Sequence, residues 1–258
     1  MTSENGAMQA ISRATTLLRI IADTPSGATL GELSVRSSLP RSTVHRVLRA
    51  LETEGLVAKS SDSPKYRIGI TTSLLASASR ARLLDVAAPA IAATAAELGV
   101  PVELHGFSGG VVRCLEQAFP PSDGLRHVGR RVGLCVAAHA TAPGKAICAQ
   151  LERTTASQLL GEPEPFTVAT ITDIDELRSQ LDRVKATGIA WERNEATIGA
   201  SSVAVGFVTP SGDVVAVSVA MASETFAREA VRLVPALMET RNRILQSLDA
   251  HGEWPASA

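Results

Sequence analysis

Apolar positions in the first seventy residues fall into three helical stretches and a short hairpin. Ala14, Leu17, Leu18 and Ile21 recur at helical intervals and predict a helix over about 9–23, stopped by the turn Thr24-Pro25-Ser26-Gly27. Thr29-Leu30-Gly31-Glu32 has the form of a capping box, and Leu30, Leu33 and Leu39 supply the apolar side of a short second helix. Pro40 marks a break and a fresh start, since proline suits the first helical turn. A third helix is expected from Arg41 to Glu54, ending at Gly55. Its Val44, Val47, Leu48 and Leu51 follow i, i+3, i+4, i+7 and face a core, while Ser42, His45, Arg46 and Arg49 repeat that spacing on the opposite side. Arg41 and Thr43 lie near its N-terminus. Leu56–Lys59 and Tyr66–Gly69 bracket a polar Ser60–Pro64 tip, predicting a hairpin that carries Lys59, Lys65 and Arg67.

The remaining pattern is longer and mixed. Residues 70–88 are predicted helical and lead into a helix through Leu98, ended by Gly99; Leu74, Leu75, Leu83, Leu84 and Val86 offer one side to a second subunit. Val100–Phe107 and Val111–Phe119 flank Ser108-Gly109-Gly110 as a hairpin. Helices are expected near 143–151, 154–160, 173–187 and 224–248, and strands at 188–192, 201–208 and 214–221. Strand runs interrupted by helices imply an α+β domain with a mainly antiparallel sheet.

Composition narrows the function. At 258 residues the chain holds about two domains. Its net charge of −1 conceals a polarity: residues 1–70 carry nine basic and six acidic side chains, the remainder 16 and 20. That asymmetry directs a polyanion to the N-terminal part. Aromatics at 3% exclude readers of single-stranded nucleic acid, which stack bases on aromatic platforms. Three cysteines without a C-x-x-C pair, and histidines never at metal-ligand spacing, predict a reduced chain with no metal and no cofactor. With neither a secretion signal nor an apolar span, a cytoplasmic protein without membrane contact is expected.

Two segments invite other chemistry. Gly106-Phe107-Ser108-Gly109-Gly110 fits G-x-S-x-G, so a small-molecule serine hydrolase using Ser108 is the alternative function; a true elbow requires a helix directly after the strand, whereas Val111–Leu115 alternate as a strand does. Gly144-Lys145 lacks the first glycine of a phosphate loop, with His139 in its place, and Ala146 replaces the required hydroxyl. A Pro-Gly turn opening a helix there would aim N–H groups near 142–145 at a cavity and favour a small carboxylate; an ordinary capped helix is the other reading.

The outward hydroxyls, histidine and arginines of the third helix suit major-groove docking, with Arg41, Ser42, Thr43, His45 and Arg46 reading bases and Arg49, Lys59, Lys65 and Arg67 meeting phosphates. The same pattern would also serve a three-helix packing module with a solvated charged face. The run LPRSTVHRVLRALETEGLVAKSSDSPKYRIG resembles the DNA-binding signature of the isocitrate lyase regulator (IclR) family of bacterial transcription factors. HATAPGKAICAQL and the stretch from Thr170 to Phe207, with GDVVAVSVA after it, are similar to that family's downstream blocks. The resemblance implies a multi-domain α+β fold: a winged helix-turn-helix DNA-binding domain (8–69), a helical linker (70–88) and a GAF-like effector-binding domain (89–250). It also implies double-stranded operator DNA and a small-molecule effector, an organic or aromatic acid, as partners, and a homodimer or dimer-of-dimers tetramer. By position it places Ala142 and Pro143 at the pocket floor, Glu192, Ser202 and Ser218 on its polar walls, and Leu125 and Val136 on its apolar walls. Glu192 stands where the family often has Asp, Ser202 where Cys is common and Ala220 where some relatives have Ser.

Overall fold

The computed structural model describes residues 2–24, 26–60, 62–79, 81–121 and 132–250. The chain forms two compact units that meet in sequence at Ala81/Arg82.

In the N-terminal unit, α1 (Thr2–Ala22) is followed by β1 (Ala28–Thr29), α2 (Leu30–Ser37), α3 (Arg41–Thr53), β2 (Val57–Lys59), β3 (Lys65–Ile68) and α4 (Ile70–Ser79). The capping box forms as expected. Thr29 Oγ1 accepts from Glu32 N at 3.3 Å, and the Glu32 carboxylate accepts from Thr29 N at 2.7 Å. The bond from Thr29 N foremost, and a second from Thr29 Oγ1 at 2.9 Å, hold the Glu32 carboxyl below its ordinary range. Pro40 is the N-cap of α3 and not its first helical residue. Leu17, Leu33, Val44, Leu48, Val57 and Tyr66 close one core.

The three strands pair antiparallel in the order β1-β3-β2, so β3 lies in the middle, with Ala28 opposite Tyr66 and Val57 opposite Ile68. The two-residue β1, which the hydrophobic pattern does not announce, ties the wing to the start of α2. Gly69, at the exit of the wing, crosses the backbone at Gly55 so closely that a Cβ would sit 2.1 Å from the Gly55 carbonyl oxygen. Only glycine fits there, which is the physical content of the Tyr-Arg-Ile-Gly ending.

The C-terminal unit comprises α5 (Ala81–Leu98), β4 (Val102–Ser108), β5 (Val111–Ala118), β6 (Cys135–Val136), α6 (Ala142–Gln150), α7 (Arg153–Leu160), α8 (Ile174–Thr187), β7 (Ile189–Arg193), β8 (Ala200–Val208), β9 (Val214–Ala222) and α9 (Ser223–Ala250). Among the described residues six strands form one antiparallel sheet, β6-β5-β4-β9-β8-β7. Two-residue alternation gives the sheet unlike faces. Val102, Leu104, Val203, Val205, Phe207, Val215, Val217 and Val219 pack with α5 and α9 in the larger core. The opposite face presents Ala190, Ala204 and Ala216 to a second core with α6, α7 and α8. Small side chains let α6 lie close. At Gly206 a Cβ would come within 2.5 Å of the Ala146 carbonyl oxygen.

Gly106–Gly110 ends one strand and turns into the next; Ser108 pairs with Val111, and Gly109 and Gly110 have φ of 61° and 77°. This hairpin turn lacks the helix a nucleophile elbow requires, and the hydrolase alternative loses its basis.

Candidate functional site

On α3, Val44, Leu48 and Leu51 are buried. Arg41, Ser42, His45, Arg46 and Arg49 are exposed, and Thr43 is half-buried at the margin. The helix starts without a side-chain cap and has no acid in its first turn. Its first N–H groups and positive dipole end therefore remain available to an anion. On the wing, Lys59 and Arg67 are exposed. Lys65 is half-buried opposite Thr29, where its charge helps hold Glu32 ionised, so it serves the fold as well as the charged surface.

The polar face of the larger sheet holds a small cavity of about 70 Å³. Register explains its walls. Glu192 on β7 lies opposite Ser202 on β8, Ser202 opposite Ala220 on β9, and Ser218 opposite Glu103 on β4. Glu103, His105, Glu192, Ser202 and Ser218 are all buried. Glu192 accepts from Ser202 Oγ at 2.9 Å through one carboxylate oxygen and from the N–H of Glu195 at 2.7 Å through the other. His105 Nδ1 lies 3.3 Å from Ser218 Oγ, and its Nε2 lies 3.5 Å from Glu103 Oε2. Gln117 donates to Glu103 at 2.9 Å.

Of the wall residues named from sequence, Val136, Pro143, Glu192, Ser202 and Ser218 line this cavity. Leu125 lies outside the described residues. Ala142 is fully buried behind the floor, and its N–H donates to Ser202 Oγ at 3.4 Å. The expected anion-binding N–H groups at 142–145 are used internally. Pro143 has none, Gly144 N donates to Thr141 Oγ1 at 3.1 Å and Lys145 N to Thr141 O at 3.0 Å. The ordinary capped helix is the reading that stands.

Sequence reasoning did not single out Glu103, His105, Thr141, Ala196, Thr197 or Ser201 as lining residues. Glu103 and His105 carried a usable signal: two polar residues spaced by two in an apolar strand share a face.

Lys145 points away from any phosphate role. Its Nζ donates to both carboxylate oxygens of Glu195, at 2.7 and 2.6 Å, with both side chains buried. Burial nevertheless pushes the Glu195 carboxyl above its ordinary range, against the opposing pull of the Lys145 ammonium. Gly144 precedes it because a Cβ there would sit 2.5 and 2.6 Å from the carbonyl oxygens of Ala137 and Ala138.

A winged helix-turn-helix unit joined to an α+β unit defines the class of helix-turn-helix transcriptional regulators. The IclR helix-turn-helix model matches residues 10–61, and the model of the bacterial transcriptional regulator IclR C-terminal domain matches residues 75–245. The chain belongs to the IclR family of transcriptional regulators. It is 34% identical over 238 residues to HTH-type transcriptional regulator Rv1719 of Mycobacterium tuberculosis, covering 92% of this chain and 91% of that one. With TtgV of Pseudomonas putida the identity is 28%, over 94% of this chain and 93% of the relative. Among solved structures, a regulator from Silicibacter superposes with a TM-score of 0.80 at 22% identity, covering 93% of this chain and 96% of the other. An IclR homolog from Microbacterium hydrocarbonoxydans, complexed with 4-hydroxybenzoate, gives 0.76 at 22%, covering 93% and 99%.

Proposed function

We propose that this regulator binds double-stranded operator DNA through residues 8–69, senses a small organic acid through residues 89–250, and joins the two through 70–88. The observation that carries the DNA reading is the α3 face: five exposed polar or basic side chains opposite three buried aliphatic ones, on a helix whose start is uncapped. Arg41, Ser42, Thr43, His45 and Arg46 enter the major groove; Arg49, Lys59, Lys65 and Arg67 meet phosphates. A homodimer, alone or paired into a dimer of dimers, presents two such helices per dimer to successive grooves in the cytoplasm. An effector acts by favouring one geometry of the assembly over another. Among the described residues no helix is long and apolar enough to cross a membrane.

The effector reading is supported by the 4-hydroxybenzoate complex of the Microbacterium homolog and by the walls of the sheet pocket. Glu103 and Glu192 are hydrogen-bond acceptors there, so the ligand we assign is a small acid that also carries a hydroxyl donor. Its carboxylate lies toward Pro143, Ser202 and Ser218 and accepts from the Ser218 hydroxyl, since the Ser202 hydroxyl already donates to Glu192 and the α6 N–H groups are occupied.

Fluorescence anisotropy with the promoter DNA flanking the regulator's own gene tests the first part. Arg46→Ala is expected to cost about 1–3 kcal/mol of operator binding with fold and oligomer size unchanged. Unchanged DNA affinity across Arg41, His45 and Arg46 variants would remove the assignment. A thermal-shift screen of benzoate, 4-hydroxybenzoate and aliphatic hydroxy acids tests the second; silence across the panel overturns it.

A further inference from the structure

The C-terminal unit contains a second cleft, of about 110 Å³, that shares no lining residue with the sheet pocket. It lies between α7 and α8 and is closed by the C-terminal end of α6 at Cys148 and Leu151, whereas the sheet pocket meets the N-terminal end of that helix at Pro143. The lining positions on α7 (Arg153, Ala156, Ser157, Leu160) and on α8 (Arg178, Leu181, Asp182, Lys185) both follow i, i+3, i+4, i+7.

That is the spacing by which two helices pack directly against one another. Here the apolar, buried positions are Ala156 and Leu160 on one helix and Leu181 on the other. Arg153 at the start of the α7 stripe and Arg178 and Lys185 at the two ends of the α8 stripe are cationic and exposed. Three cations therefore stand around an apolar floor with a single acid, Asp182, among them. Arg178 is engaged by Asp175 at 3.0 Å, while Arg153 and Lys185 form no ion pair among the described residues.

We propose that this cleft is a second ligand site, for a short-chain monocarboxylate. The carboxylate sits between Arg153 and Lys185, and the alkyl chain lies on Leu160, Leu181 and Leu151. Two cations without an ion-pair partner among the described residues favour one anionic head at the mouth. The apolar floor favours a tail, since each buried methylene is worth about 0.8 kcal/mol, roughly fourfold in affinity. The Cys148 thiol at the floor, its pKa pushed up to about 12 by burial, stays protonated and adds no competing anion.

The experiment is calorimetric titration of the full-length protein with butyrate, pentanoate and hexanoate, and with hexylamine as the cationic counterpart. Affinity is expected to rise roughly fourfold per methylene until the cleft is full. Hexylamine is expected not to bind. Arg153→Gln and Lys185→Gln, both on the surface and compatible with folding, should each weaken hexanoate at least tenfold, and the double variant should abolish it. Ser218→Val, in the sheet pocket, should leave hexanoate affinity unchanged. Hexanoate that fails to bind the wild type overturns the proposal. So does hexanoate binding that survives the double charge-removing variant, or that is lost in Ser218→Val, and so does hexylamine binding as tightly as hexanoate.

Discussion

Lys145 and Glu195 form an ion pair with almost no access to solvent, and Lys145→Met removes the cation while keeping the length of the side chain. In the variant the Glu195 carboxylate is left 7% exposed with no cation to replace the two hydrogen bonds at 2.7 and 2.6 Å. Removing one partner of such a buried pair costs about 3–5 kcal/mol, because the other charge is stranded. That is a large fraction of the roughly 5–15 kcal/mol available to a folded domain. Adding Glu195→Gln should recover most of the loss, since a neutral amide carries a far smaller burial penalty.

The effect also depends on pH. The Glu195 carboxyl is raised above its ordinary value in the folded chain, so the folded state holds that proton more tightly than the unfolded state does. Its contribution is most favourable below the ordinary glutamate range and declines as pH rises through the raised value. Without Lys145 the carboxyl rises further, so Lys145→Met should be least destabilised at acid pH, where Glu195 is protonated in both chains, and most destabilised once the pH has passed the raised value. Urea unfolding followed by circular dichroism, at one protein concentration and two pH values, measures this. A loss at neutral pH below about 1 kcal/mol, the worth of an exposed pair, would refute the reasoning, as would a double variant no more stable than the single.

Other substitutions probe other parts. Gly144→Ala forces a Cβ against two backbone carbonyls and is expected to cost about 1–3 kcal/mol by overpacking, read as a lower urea midpoint. Thr29→Ala removes the α2 cap at about 1 kcal/mol. Because Glu32 is held below its ordinary value, its contribution is present above the ordinary carboxylate range and is lost as pH falls through the lowered value. Thr29→Ala removes the hydroxyl bond to Glu32 but keeps the backbone N–H, so it should flatten the acid side of the stability profile only in part. Ser218→Val places a methyl group where a hydroxyl faces His105, and should abolish the thermal shift given by hydroxy acids while leaving operator affinity without effector unchanged. Lys59→Ala should weaken DNA binding uniformly across sequences and reduce the salt dependence by about one phosphate contact.

The winged helix was legible because its determinants are local. A capping box, a proline before α3, a glycine after it and two opposed faces of one helix each act within a few residues, and nearest-neighbour physics is enough to read them. The two-residue strands β1 and β6 escaped because they are defined by their partners and not by any pattern of their own. The pocket was legible only in part. Glu192, Ser202 and Ser218 entered through a family likeness, but Glu103 and His105 join them only because sheet register sets β4 beside β9, far along the chain.

The sequence by itself determined the two kinds of unit, the α3 face and the alternation that gives the larger sheet an aliphatic and a small, polar side. The tertiary structure decided what the ambiguous motifs became. Gly106–Gly110 turned out to be a hairpin because the next residues pair back onto β4, and Lys145 went to Glu195 and not to a phosphate because the loop after β7 brings that carboxylate to α6. It also consumed the N–H groups that a helix start alone would offer to an anion. A short motif specifies which groups a segment carries; which of them remain free is set by partners that only the folded chain brings within hydrogen-bond reach.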